Sequence, residues 1–87
     1  MNGFHLRVVS VVRTLFNDQV ESVFLLGDEG EFELLAHHYP LMGALTEGEI
    51  KIAGHEGIPI KSGVLSFIDN QCSIIIEEFQ TETFVSE

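Results

Sequence analysis

The chain has 87 residues and a mass of 9.7 kDa, which is room for one domain with one modest core. Hydrophobic residues make up 45%, charged residues 21%, with eight Gly and two Pro, and this balance excludes collagen-like, mucin-like and other low-complexity chains. Four Lys and Arg stand against fourteen Asp and Glu, so the net charge is −10 with neutral His. Proteins bind nucleic acid and anionic lipid through many Lys and Arg side chains, and this chain has four. The composition therefore excludes both as direct partners and favours a partner protein with a basic surface.

The single cysteine, Cys72, cannot form an intrachain disulfide, and we expect it to be a small core residue in a reducing compartment. No apolar run reaches the ~20 residues that cross a bilayer as a helix. We therefore expect a soluble chain.

Alternating apolar and polar residues predict strands along most of the chain. The predicted strands are 4–9, 20–26, 31–34, 50–52, 58–60, 64–68 and 72–76. Turn signals separate them at 17–18, 27–30, 37–40, 46–48, 54–57 and 69–70. The segment 41–45 fits one helical turn or another strand. Pro59 lacks a ladder donor, which places its strand at an edge or its amide on the outward side.

Connections this short are incompatible with parallel crossovers, which need a dozen or more residues. We therefore predict one all-β domain over residues 1–87, an antiparallel sandwich or barrel of about eight to ten short strands. Residues 80–87 are acidic and polar and are predicted to be a frayed end.

The pair His37 and His38, with Glu29, Glu31 and Glu33 nearby, is the best candidate for a metal site. Adjacent residues of an extended segment point to opposite faces, so the two rings would not converge on one ion. Glu33 and His37 would share a face but stand roughly 13 Å apart. Nucleotide cradles and nucleophile elbows are also missing from the sequence. We predict no catalytic residue, no metal and no cofactor.

One stretch carries a family pattern. Residues 30–41 read Gly-Glu-Phe-Glu-Leu-Leu-Ala-His-His-Tyr-Pro-Leu, and Ala-Leu at 44–45 and Gly-Glu-Ile-Lys-Ile at 48–52 follow. This resembles the N-terminal β-sandwich of the epsilon subunit of F-type ATP synthases, which reads Gly-Glu-Leu-Gly-Ile, then Pro-Gly-His-Ala-Pro-Leu-Leu, then Lys-Pro-Gly. The match runs without a gap from about Phe4 to Glu77. It includes an opening strand at 4–10, a Phe-x-x-x-Val-Glu-like segment at 16–23 and a Gly-x-Leu strand at 62–65.

The resemblance implies a non-catalytic rotor subunit that links the gamma subunit to the membrane c-ring, peripherally on the cytoplasmic face of a bacterial energy-coupling membrane. Carried over by position, it implies gamma contacts at Ser10, His38, Pro40 and Leu41. It implies c-ring contacts at the acidic turn of Asp28, Glu29 and Glu31, whose carboxylates would complement basic ring loops.

The family's C-terminal helical hairpin, which inhibits ATP hydrolysis and in some members binds ATP, has no counterpart in this sequence. We therefore expect neither function, and no nucleotide as a ligand. The initiating Met and the polar tail favour a naturally short member over a truncated one.

The sequence also departs from the family pattern. Glu33, Ala36 and His37 stand where the family tends to have Gly, Pro and Gly, and Glu47 stands at a Pro position. The loop before Pro40 must therefore take a different path or place His37 in the left-handed region that His tolerates.

Several alternatives stay open at this stage. His38 could be a packed loop histidine, Glu31 a solvated carboxylate, and Tyr39 either an exposed anchor or a lid over the core, while Leu41 and Met42 could belong to the core. For the whole chain, the rivals are a free-standing acidic sandwich that binds another basic protein and a small cupin-like metal-dependent enzyme.

Overall fold

The computed structural model describes residues 3–79, which form nine β-strands. In chain order the strands are β1 (Phe4–Val9), β2 (Thr14–Val20), β3 (Ser22–Gly27), β4 (Gly30–Leu35), β5 (Leu41–Leu45), β6 (Gly48–Ile52), β7 (Ile58–Ile60), β8 (Ser62–Ile68) and β9 (Gln71–Glu77). The all-β prediction is confirmed, and segment 41–45 is a strand. The predicted frayed end at 80–87 lies outside the described residues.

The strands form a single curled sheet that folds over itself into two layers. Neighbours run in the order β2-β1-β9-β8-β5-β3-β6-β7, and β4 pairs with β3. The turning point is the contact between β5 and β3, whose register contains the single pair Gly27 and Leu45. One layer is therefore β2-β1-β9-β8-β5 and the other is β4-β3-β6-β7. The strand that holds Pro59 ends this order, as its missing donor predicted.

One pairing departs from the antiparallel prediction. β1 and β9 run parallel, with Leu6 opposite Cys72 and Val8 opposite Ile74. The requirement for a long crossover is met because the whole intervening chain connects these two strands. The sheet is thus mixed, although every other pair in it is antiparallel.

The core lies between the layers and is built from the inward half of each alternating pattern. Phe4 and Phe67, both fully buried, meet edge to face with ring centroids 5.3 Å apart. Cys72 lies in the core, as expected: it is 1% exposed, and burial raises the pKa of its thiol to about 12. Within the part of the chain that the structure describes, no side chain in the core is polar or charged.

The turn predicted at residues 17–18 is wrong. Asn17 and Asp18 lie inside β2, opposite Arg7 and Leu6 of β1. β2 is an edge strand that leaves most of its side chains exposed, so its sequence carries little alternation. The actual break is at Glu21, where the chain passes from one layer to the other.

No helix that is long and apolar enough to span a membrane occurs in residues 3–79.

Candidate functional site

The acidic turn forms the tip of the hairpin between β3 and β4. Asp28 and Glu29 connect the paired residues Gly27 and Gly30, and Gly30 has a φ of 118°. A glycine is favoured there because side chains rarely adopt that backbone conformation. The side chains of Asp28, Glu29 and Glu31 are all exposed. The hairpin therefore projects three carboxylates into solvent at one corner of the sandwich.

This hairpin tip faces strand β5 across an open groove of about 700 Å³. β5 pairs with β8 along its whole length, but on its other side its register with β3 is limited to Leu45. A Cβ built on Gly43 would meet nothing within 4 Å, so the groove is open at this point. Its lining combines the acidic turn with apolar and small residues: Gly27, Asp28, Glu29, Gly30, Glu31, Phe32, His38, Leu41, Met42, Gly43, Ala44 and Leu65.

The carboxylates of the turn differ in their surroundings. Glu31 lies 3.5 Å from the Lys51 ammonium group, which reaches it from β6 across β3. Among the ion pairs of residues 3–79, none includes Asp28 or Glu29. The free negative charge of the turn is therefore concentrated at its tip.

His38 lies on the opposite wall of this groove, in the loop that joins β4 to β5. His37 has a φ of 66°, which is the left-handed conformation that the sequence offered as one of two ways to accommodate the missing glycine. His38 is exposed, donates from Nδ1 to the carbonyl of Tyr39 at 2.7 Å, and lies edge-on to Phe67 with ring centroids 5.8 Å apart. Pro40 is exposed, and Leu41 is half-buried as the first residue of β5.

Tyr39 and Met42 are each 80% exposed, so neither is part of the core. Tyr39 is not a lid over the core. Of the two residues that could belong to the core, Leu41 packs against it and Met42 does not. Met42 points outward because the inward positions of β5 are those paired with Phe67, Leu65 and Gly63 of β8.

Ser10 does not belong to the groove. It follows β1, and its hydroxyl donates to Oε2 of Glu78 at 2.9 Å. Arg13 binds the same carboxylate, at 2.6 Å from Nη2 to Oε1 and 3.3 Å from Nε to Oε2. The hydrogen bonds from Arg13 and then Ser10 lower the pKa of Glu78. This network fixes the loop after β1 to the chain that leaves β9.

Ser10 and His38 mark opposite ends of the same layer. Leu6, Cys72, Phe67 and Leu41 lie opposite one another in register across four strands. His38 stands beside this row, whereas Ser10 lies four residues further along β1, roughly 13 Å away in the strand direction. The two predicted gamma contacts therefore lie toward opposite ends of the β2-β1-β9-β8-β5 layer.

The outer face of this layer carries an apolar patch, which the sequence reasoning did not identify. Ala44, Val64, Ile75 and Val9 form one row in register across β5, β8, β9 and β1. Val64 is 53% exposed and Ile75 is 52% exposed. Met42 lies in the next row toward the His38 end, where Ser66 and Ser73 are its neighbours in register, and Ile68 lies beyond that row. The signal was present in the sequence, because β8 and β9 carry apolar residues at outward as well as inward positions.

Among the described residues, no group of three or more His, Cys, Asp or Glu side chains lies close enough to hold a metal ion. His37 and His38 do not converge: the backbone of the first is bound to Asn70, while the ring of the second leans on Phe67.

The family profile described as "ATP synthase, Delta/Epsilon chain, beta-sandwich domain" matches residues 3–82. The chain belongs to this family. The resemblance drawn from the residues at 30–52 is therefore confirmed, both for the fold and for the epsilon-type sandwich. The departure at His37 is accommodated by its left-handed backbone and does not change the fold.

Curated relatives agree with this assignment. The chain is 32% identical over 79 residues to an ATP synthase epsilon chain of Mesorhizobium japonicum, covering 86% of this chain and 58% of that protein. It is 33% identical over 81 residues to one from Campylobacter concisus, covering 88% of this chain and 63% of that protein. The chain thus spans about three fifths of the length of these relatives.

A solved structure shares the fold. It is the central stalk and c-ring of the Tetrahymena thermophila mitochondrial ATP synthase, matched with a TM-score of 0.76 at 14% identity. The match covers 85% of this chain and 63% of the chain in that structure.

Proposed function

We propose that this chain is a non-catalytic rotor subunit of a bacterial F-type ATP synthase, peripheral to the cytoplasmic face of the membrane. It holds the gamma subunit to the c-ring, so that ion-driven rotation reaches the catalytic subunits. Family membership supports the assignment to this enzyme complex. The observation that carries the linking role is the apolar outer face between Ser10 and His38.

The apolar face is suited to a partner that stays bound. Val64 and Ile75 expose aliphatic side chains directly opposite one another, with Met42 diagonal to Val64, and exposed apolar clusters of this kind mark interaction sites. Pro40 and Leu41 border it at the His38 end. We assign this face, with Ser10, His38, Pro40 and Leu41 at its margins, to the gamma subunit.

The acidic turn is suited to a different partner. Asp28, Glu29 and Glu31 stand on a hairpin tip at the corner of the sandwich, across the groove from His38, Leu41 and Met42. Exposed carboxylates steer association and fix orientation more than they add affinity. We assign this turn to the basic loops of the c-ring.

The body between these surfaces transmits force without changing shape. The first and last strands lie side by side within one layer, and one contiguous hydrophobic core fills the space between the layers. A domain of this kind moves as a rigid unit when the c-ring turns one surface and the gamma subunit resists at the other. Such a connector needs no active site, so we propose no reaction for it.

The test is binding to purified gamma subunit, measured by size-exclusion chromatography and calorimetry. Ile75→Gln and Leu35→Gln form a matched pair, because both side chains are 52% exposed but lie on opposite layers. We expect Ile75→Gln to weaken binding about tenfold or more, as at a central interface residue, and Leu35→Gln to leave it unchanged.

Elution of the wild-type chain as a free species of 9.7 kDa in the presence of gamma would argue against the proposal and favour a free-standing acidic sandwich. Equal losses for the two variants would reject the assigned face. Stoichiometric zinc, iron or manganese that is lost on replacing His37 and His38 would instead support a metal-dependent enzyme.

A further inference from the structure

Asn70 occupies an unusual place in the fold. It is the second residue of the tight turn between β8 and β9, which the pair Ile68 and Gln71 closes. Asp69 and Asn70 have φ values of 53° and 60°. Two left-handed residues in a two-residue loop are typical of a type I′ hairpin turn, whose backbone twist matches that of the flanking strands. Asn tolerates this conformation better than most residues, which explains the residue type by the turn alone.

The side chain of Asn70 has a second task. Its Oδ1 accepts a hydrogen bond from the backbone N–H of His37 at 2.6 Å, and its Nδ2 donates to the carbonyl of Gly3 at 3.0 Å. Because a backbone N–H only donates and a carbonyl only accepts, these two partners fix the orientation of the amide. The backbone carbonyl of Asn70 also accepts from the N–H of His5 at 3.3 Å.

Three segments distant in sequence therefore meet at one residue. They are the turn after β8, the start of β1 and the loop that begins at His37. The bond to His37 is short and holds a backbone that is itself left-handed, with a φ of 66°. Such a conformation carries a steric cost for a residue with a side chain and persists where neighbouring groups enforce it.

The residues that follow His37 are the exposed His38, Tyr39 and Pro40, and His38 lines the groove together with Leu41 and Met42. A second contact of this loop with the body is the edge-on approach of His38 to Phe67. A loop held at two points is partly ordered before a partner arrives. Ordering a binding loop in advance raises affinity because less freedom is lost on association.

We infer that Asn70 is a positioning residue of the partner-binding surface: its amide fixes the His37–Pro40 loop in the conformation that binds. The partner half of this inference rests on the proposed function, in which that surface meets gamma. The positioning half concerns the free chain alone. Asn70 itself need not touch the partner.

Three variants separate the turn from the side chain. Asn70→Gly retains a residue suited to positive φ but removes both amide hydrogen bonds. Asn70→Asp keeps an acceptor for His37 and loses the donor to Gly3. Asp69→Gly places a glycine in the same turn without touching the amide of Asn70, and serves as the matched control.

Hydrogen exchange of the His37 amide in the free chain reports the positioning directly. We expect exchange about three- to tenfold faster in Asn70→Gly, the effect of losing one hydrogen bond of ordinary net strength, and little change in Asn70→Asp or Asp69→Gly. A similar loss of affinity for purified gamma is expected in Asn70→Gly, with Asn70→Asp closer to wild type. Thermal unfolding of each variant should remain cooperative.

Unchanged His37 exchange in Asn70→Gly would overturn the inference. Faster exchange with unchanged affinity would also overturn it, because the loop would then not be part of the binding surface. Failure of the wild-type chain to bind gamma would remove the proposed function and the partner half with it, while the exchange data would still decide whether Asn70 fixes the loop.

Discussion

Leu34 and Leu35 are consecutive residues of β4 with opposite environments: Leu34 is fully buried in the core, and Leu35 is 52% exposed on the solvent side of the β4-β3-β6-β7 layer. Leu34→Ala should destabilise the domain by about 2–5 kcal/mol, from lost burial and the cavity left behind. Leu35→Ala should change stability by about 0.5 kcal/mol or less, as at other surface positions. Urea unfolding at equilibrium measures both, and similar losses would mean that the facing of β4 is wrong.

Gly63 and Gly43 lie in the paired strands β8 and β5 and differ in the space around them. A Cβ on Gly63 would stand 3.0 Å from the carbonyl oxygen of Ile75 and 3.3 Å from Cγ2 of Ile76, whereas one on Gly43 meets nothing within 4 Å. Gly63→Ala should therefore lower the melting temperature, because a backbone atom must shift. Gly43→Ala should leave it unchanged or raise it slightly, since Ala costs less chain entropy than Gly in a strand.

The reverse order of melting temperatures for these two alanine variants would show that β8 and β9 do not approach as closely as described. Differential scanning calorimetry of both variants in the same buffer measures the two melting temperatures. The comparison is matched because each variant adds one methyl group to the same sheet.

Glu78 connects the loop after β1 to the chain after β9, and its contact should make stability depend on pH. Hydrogen bonds from Arg13 and Ser10 lower its pKa in the folded chain, so the unfolded chain binds the proton more readily. The contribution is therefore present above the ordinary carboxyl pKa of about 4.3 and is lost as pH falls through the lower folded value.

The stability of Glu78→Gln should thus fall less steeply than that of wild type as pH drops below about 5. Denaturant unfolding across this range measures the slope. Glu56→Gln removes a carboxylate from the same acidic chain without touching Arg13 and is the control. Its free energy of unfolding should depend on pH as steeply as that of wild type. A steeper fall in Glu78→Gln would contradict the bonded geometry.

Glu31 pairs with Lys51 and is also assigned to the c-ring, and a charge swap separates the two roles. Glu31→Lys alone should weaken association with c-ring loops and place two ammonium groups side by side. Adding Lys51→Glu restores the internal pair, which as an exposed ion pair is worth about 0–1 kcal/mol, but leaves the ring-facing charge reversed. Unfolding midpoints should recover in the double variant.

Association of the chain–gamma complex with c-ring in nanodiscs, followed by light scattering, should not recover in the double variant. Recovery of both properties would mean that Glu31 acts through Lys51 alone and makes no contact with the ring.

Most strands could be predicted because burial of one face imposes a period of two. β9 shows this well, with Cys72, Ile74 and Ile76 buried and the residues between them exposed. The turn at Asp69 and Asn70 could be predicted as well, since residues that tolerate the left-handed region stood between two apolar runs. The edge strand β2 could not, because little of it is buried and its alternation is weak.

The site was only partly predictable for a related reason. Asp28, Glu29 and Glu31 were placed together correctly as a turn, because a turn is local. That His38 would face them across a groove, and that Ser10 would stand at the other end of the layer, depends on the pairing of β5 with β8 and of β1 with β9. The sequence of a strand does not show which distant strand it pairs with. The hydrogen bond between Asn70 and His37 likewise could not be predicted from the residues around either one.

The parallel pairing of β1 with β9 constrains how the protein is made. Leu6 lies opposite Cys72, so the inner neighbour of the first strand is among the last parts of the domain to emerge from the ribosome. Until then β1 has only β2 beside it, and an isolated two-stranded hairpin is marginally stable in water. Folding of this layer must therefore wait until translation has passed β9, and a nascent chain stalled earlier would expose the inner faces of β1 and β8 to proteases and chaperones.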